Sequence, residues 1–185
     1  MVEVTTLLDK LMMIAKLDRA RFKYSEEEAF MPKVMIIGPN DESCVTPANW
    51  RNEQEKYAMM RAATEAARRL FAQAIVVVSD TRWIMSDVFC EHFKVEPPNG
   101  TREGFDAYQK HYLAILHKHG GEMKNLPRQL WQEAVTVAIK GPRCGAHVRM
   151  APYDCGPGDK VHYLPPEPRE GEQRIQMNLI PEWWH

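Results

Sequence analysis

The sequence predicts an α+β fold, with a mixed α/β arrangement as the variant: one sheet of about five to six strands with two or three helices packed on it. Three observations carry this. An alanine-rich helical window, "WRNEQEKYAMMRAATEAARRLFAQ", runs straight into "AIVVVSDTRW", which is β-branched and apolar without alternation. Such a strand is buried on both faces and so central in its sheet. Near the end of the chain, "AHVRMAPY" and "KVHYLPP" flank "DCGPGD", the pattern of a hairpin.

The elements follow in order. Thr5 or Thr6 can cap a first helix in which Leu7, Leu8, Leu11, Met12, Ile14 and Ala15 recur at helical spacing, with Asp9, Lys10 and Lys16 mainly on the other side. The charged connector "DRARFKYSEEEAF" leads to Val34–Ile37, a short strand. Gly38, Pro39, Asn40 and Asp41 supply turn chemistry, and a second strand around Ser43 to Thr46 can return as a hairpin. A phosphate loop opening at Gly38 is disfavoured, since it lacks both a glycine-rich repeat and a Gly-Lys-Ser/Thr ending. Asn49 then caps the longest helix, where Tyr57, Met60, Ala63, Ala67 and Leu70 recur three or four apart.

After the central strand the sequence is less regular. "FKVEPPNGTREG" must be a loop, and "FDAYQKHYLAILHKHGG" predicts a helix with Phe105, Tyr108, Tyr112, Leu113 and Leu116 on one side and a glycine stop. One domain over 1–185 is expected, with an insertion at about 85–125 and a C-terminal extension at about 165–185. "AVTVAIKG" resumes the sheet. In the extension, Ile175, Met177 and Leu179 alternate as a strand would, while Trp183 and Trp184 must either dock onto the domain or form a subunit interface.

This order of elements resembles that of small uncharacterised bacterial or phage proteins with no assigned activity. The matching pieces are "VMIIGP", "AIVVVSDTRW" and "AIKGP…VRMAPY". The resemblance covers most of the chain outside 85–125 and implies the fold order only.

Composition excludes several function classes. Apolar residues at 44% and charged residues at 26% suit a globular chain, and a formal net charge of −1 provides no bulk attraction to nucleic acid. No apolar run approaches the ~20 residues that span a bilayer, so no membrane association is expected. The first residues lack a basic region and a cleavage site. With cysteines scattered at 44, 90, 144 and 155, a cytoplasmic protein with reduced thiols is expected.

Cys144, His147, Cys155 and His162 form the densest cluster of reactive side chains. Their inventory is that of a structural zinc site. Strand alternation argues against it: Val148 and Met150 point one way, His147 and Arg149 the other. Eleven residues of strand would hold the two cysteines ~35 Å apart. Pairing Tyr153 with Lys160 would put His162 opposite Ala151, on the same outer face as His147 but ~13 Å away. No metal or other cofactor is therefore assigned. That face, with Lys140, Lys160, Arg143 and a stacking Tyr153, offers a binding surface of His147, Arg149 and His162, and nucleic acid is the disfavoured partner for it.

Ser79 to Trp83 sit where a sheet would deliver polar groups to a rim. Asp80 could act as a base or metal carboxylate, Arg82 as an anion clamp, and Trp83 as a binding residue. The simpler reading has Asp80 ending the strand and pairing with Arg82 or a helix terminus. Neither Gly-x-Ser-x-Gly nor Ser-x-x-Lys is present. The expectation is a non-enzymatic binding or regulatory module acting through protein contacts, self-association included. The alternatives are a small metal-assisted hydrolase or nucleic-acid-processing enzyme using Asp80 and Arg82, and a structural zinc protein.

Overall fold

A computed structural model describes residues 4–40, 42–48, 50, 53–165, 180, 181 and 183. Among these, four α-helices and six strands follow in the order α1 (Val4–Arg19), β1 (Lys33–Ile37), β2 (Ser43–Pro47), α2 (Glu53–Arg69), β3 (Ala74–Ile84), α3 (Ser86–Phe93), α4 (Arg102–Lys118), β4 (Trp131–Gly141), β5 (Gly145–Gly156) and β6 (Lys160–Tyr163). The strands form one sheet in the order β2-β1-β3-β4-β5-β6. β1 pairs antiparallel with both β2 and β3, and β5 with β6. The α+β class holds. The chain divides into two compact units, one of residues 1–81 and 134–185 and the other of residues 82–133. The second unit contains the stretch 85–125 that the sequence sets apart.

The first unit buries both faces of the central strands of its part of the sheet. On one face Leu8, Leu11 and Ala15 of α1 meet Ala74, Val76 and Val78 of β3, Val135, Val137 and Ile139 of β4, and Tyr153 of β5. On the other, Met60 and Ala67 of α2 meet Val34, Ile75, Val77, Ala138 and Val148, together with Ile180 and Trp183. β3 alternates between these two cores, which is why its sequence does not alternate in polarity. Gly141 permits the close approach that ends β4, since a Cβ there would lie 2.0 Å from the Gln73 carbonyl oxygen.

The helices bury less than their apolar periodicity predicts. On α1, Ile14 joins Met13 and Leu17 on the exposed side, and Arg19 takes a buried place. On α2, Tyr57 and Leu70 are exposed. The Asn49 cap and the 175–179 strand lie outside the described residues.

The second unit has its own core of Phe89, Leu126, Leu130 and Trp131. α3, which the sequence reading missed, supplies Phe89. Its eight residues are too few for a periodic signal. Thr101 caps α4 by accepting from the Gly104 amide. Its packed side is Tyr108, Tyr112, Ile115 and Leu116, while Phe105 and Leu113 face solvent.

Of the two roles open to the terminal tryptophans, Trp183 takes the first: it is 3% exposed in the core beneath α2. Arg68 Nε donates to its carbonyl at 3.2 Å, and Lys140 Nζ to that of Ile180 at 2.9 Å. Trp184 lies outside the described residues. Trp183→Ala should therefore destabilise the fold by about 3 kcal/mol, a large-to-small core loss, measured by urea unfolding. A change below about 0.5 kcal/mol would contradict this docking.

Candidate functional site

Asp80 lies within β3 rather than on a rim beyond it, because the strand continues to Ile84. It shares the face of Val76 and Val78, and there it meets Arg19, the last residue of α1. Arg19 is fully buried, and its Nε donates to Asp80 Oδ2 at 3.1 Å and to the Tyr153 hydroxyl at 3.5 Å. Its terminal nitrogens donate to the carbonyls of Lys23 at 3.2 Å and Tyr24 at 3.3 Å. The guanidinium also stands 5.1 Å from the Tyr153 ring centre. Tyr153 makes edge contacts with Tyr24 and Tyr163. Burial works against the Arg19 charge, but the hydrogen bond to Tyr153 and the charge of Asp80 outweigh it and raise its pKa.

This cluster ties four segments together. Tyr24 donates its amide to the Asp159 carbonyl at 2.8 Å, and the Asp159 carboxylate accepts from Ser25. Asp159 sits at φ 61° in the turn between β5 and β6, next to Gly158 at φ 71°. Asp and Gly are the residues that tolerate this region. Tyr163 donates its hydroxyl to the Lys16 carbonyl at 3.0 Å, with Lys16 Nζ 4.4 Å from its ring centre. Burial pushes the Tyr163 phenol well up from its ordinary range, and the Asp80 charge adds to this against the opposing charge of Arg19.

Asp80 pairs with Arg19 in the first unit, whereas Arg82 Nε donates to Glu133 Oε1 at 3.0 Å in the second. Of the two pairings expected for Asp80, Arg82 or a helix terminus, it meets the end of a helix: Arg19 closes α1, 61 positions away. Trp83 is half-buried in the same strand.

The late hairpin forms, but in another register. Tyr153 pairs with Tyr163, Asp154 with His162 and Gly156 with Lys160, so the loop is only Pro157, Gly158 and Asp159. The expected partner of Tyr153 was Lys160. A slip of an odd number of residues moves side chains to the other face. Arg149 lies on the α1 side, 3.8 Å from Asp9, and Tyr153 is in the core on that side. His162 pairs with Asp154 and falls on the opposite face from Tyr163. His147 and Arg149 therefore do not share a face with His162, and Tyr153, 1% exposed, cannot act as a stacking ring. Lys140, bound to the Ile180 carbonyl, also lies on the other face from Arg149, so the expected basic surface is dispersed.

Cys144 and Cys155 flank the two ends of β5. His147 Nε2 lies 2.6 Å from the Cys144 carbonyl oxygen, and about seven residues, roughly 23 Å of strand, separate it from the position opposite His162. Among the described residues no three His, Cys, Asp or Glu side chains converge as metal ligands.

The residues missed in the sequence had a signal. Arg19 continues the buried series Leu8, Leu11, Ala15 at helical spacing, and Glu133 continues Val135, Val137, Ile139 at strand spacing. A charge standing in an apolar series marks a buried charge with a partner.

Asp80→Asn should cost about 3 kcal/mol in urea unfolding, because it leaves the Arg19 charge buried without its carboxylate. An Arg19→Met, Asp80→Leu double variant should lose less than the sum of the single changes; strict additivity would show that the pair is not coupled. Alkaline pH should also weaken the fold. Tyr163, Tyr108 and Tyr112 all have raised pKa values, chiefly through burial. The unfolded chain then releases protons that the fold retains, so their contribution is complete below an ordinary tyrosine pKa of about 10 and declines above it. Urea midpoints should fall from about pH 9 to about pH 11, alongside late phenolate absorbance; a flat profile would contradict the assignment.

No family model, curated protein or solved structure matches this chain in the comparisons made with known proteins.

Proposed function

We propose that this chain is a non-enzymatic binding or regulatory module acting through protein contacts, with self-association as its simplest form. The observation that supports this is the outer side of α1. Met13, Ile14 and Leu17 are each more than half exposed, at spacings that place them side by side. The same helix already supplies Leu8, Leu11 and Ala15 to the core, so the fold has no need of a second apolar stripe. Lys10 and Ala20 on this side, both exposed, continue the stripe toward polar and small residues. The contact we propose is therefore on α1, since Trp183 is buried in the first unit.

The hydrolytic alternative finds less support. Asp80 is held by Arg19 and is only 22% exposed, and Arg82 is engaged with Glu133. A cytoplasmic setting agrees with four cysteines that are all unbridged. No described helix is long and apolar enough to cross a membrane.

Replacing Met13, Ile14 and Leu17 together by Gln should leave helicity and the urea midpoint nearly unchanged, because these side chains bury little in the fold. Wild-type chain should show a mass that rises with concentration in sedimentation, and the triple variant should stay monomeric. A wild-type chain that remains monomeric to about 0.5 mM would remove self-association as the form of contact.

A further inference from the structure

We infer that the outer edge of β2 binds an extended peptide segment of another protein as an added antiparallel strand. Among the described residues β2 pairs only with β1 and ends the sheet. All five of its residues, Ser43–Pro47, are exposed. The fold treats the opposite edge differently. Lys23 bridges to Lys160 there, and the Tyr24 amide donates to the Asp159 carbonyl at 2.8 Å beside β6. Strand edges are commonly guarded by charge, a bulge or such a cover. β2 has no charged residue, and its register with β1 runs through all its pairs without a bulge.

That register decides which backbone groups point outward. The Gly38 amide donates to the Glu42 carbonyl at 2.8 Å, and the Ala48 amide to the Pro32 carbonyl at 2.7 Å. In an antiparallel pair the residues that bond to the neighbour alternate, so Glu42, Cys44, Thr46 and Ala48 turn their groups to β1. Ser43, Val45 and Pro47 turn theirs away. The outer edge therefore presents the N–H groups of Ser43 and Val45 and the carbonyls of Ser43, Val45 and Pro47, since proline has no N–H.

Side chains set the chemistry of the occupant. Val76, Met35 and Val45 stand abreast across β3, β1 and β2, on the α1 side of the sheet. Burial falls along this row: Val76 is fully buried, Met35 half-buried and Val45 48% exposed. An added strand places its central side chain next in the row, where a β-branched apolar residue covers Val45. The neighbours of that residue lie beside Cys44 and Thr46, which are neutral and suit threonine or serine.

The same pattern selects a peptide over a second copy of the chain. Pairing two copies across a two-fold axis at Val45 sets Ser43 against Pro47, which leaves both Ser43 carbonyls without a donor. A peptide free of proline answers every outward group, the mode known as strand addition. This edge and the α1 contact are separate surfaces, and neither rests on the other.

The probe is the peptide acetyl-Lys-Ser-Thr-Val-Thr-Ser-Lys-amide, titrated into the isotope-labelled full chain and followed by NMR. In the free chain the Ser43 and Val45 amides should exchange quickly with solvent, and those of Cys44 and Thr46 slowly. Binding should be saturable and slow the exchange of Ser43 and Val45 at least tenfold. Val45→Pro removes an outward donor and leaves the β1 ladder intact, so it should weaken binding at least tenfold, while Val45→Ile should stay within twofold of wild type. N-methylation of the peptide valine, which removes the N–H that meets the Val45 carbonyl, should abolish binding without any change in the protein. The triple Gln variant of Met13, Ile14 and Leu17 should bind as wild type does. Absence of saturable binding would overturn the assignment. So would equal binding of the N-methylated peptide, or wild-type affinity in a folded Val45→Pro chain. Protection of Ser43 and Val45 that rises with chain concentration alone would assign the edge to a second copy and overturn it as well.

Discussion

A single buried guanidinium organises the first unit. Arg19 stands at the end of α1 with no side-chain exposure, and burying an unpaired charge costs far more than a small domain can spare. The charge persists because Asp80, the Tyr153 hydroxyl and two backbone carbonyls surround it. Those partners come from β3, β5 and the connector after α1. Satisfying one residue thus sets where the helix ends, how the connector turns and which side of the sheet the helix covers. Removing one partner is costly and removing the pair less so, which makes the interaction better at specifying one arrangement than at adding net stability.

The second consequence is that the sheet has no solvent face in its centre. α1 covers one side and α2, with Trp183, covers the other. Polar side chains on the central strands must then pair with one another or lie toward strand ends. Asp80 and Glu133 are the two acids so placed, each with an arginine against it in its own unit. Exposed apolar residues remain on the outer side of α1, and also just after α2 and on α4, where Leu70, Phe71, Phe105 and Leu113 face solvent. The exposed apolar side of α1 is what supports the contact proposed above.

The two acids differ in what surrounds them. Asp80 meets a guanidinium that is wholly inside, with tyrosine rings closing around it. Glu133 meets two that are partly outside and rest on an indole ring. The first pair has its guanidinium wholly inside, whereas the second has its carboxylate inside and its arginines partly exposed.

By itself the sequence determined the elements and their order, because polarity period and turn chemistry are local properties. The unalternating run of β3, the alanines of α2 and the Gly-Pro-Gly turn each report their own neighbourhood. α3 escaped because eight residues give too few repeats. Only tertiary structure decided the register of the late hairpin, where Asp159 and Gly158 accept a left-handed turn and a short loop, so that His162 parts from His147. It also decided the partner of Asp80. Arg19 is 61 residues away, and no local pattern links them. What the sequence did carry was the anomaly of a charge in a buried series, at Arg19 and again at Glu133. Naming the partner needed the fold, since pairing between distant residues depends on which faces the chain brings together.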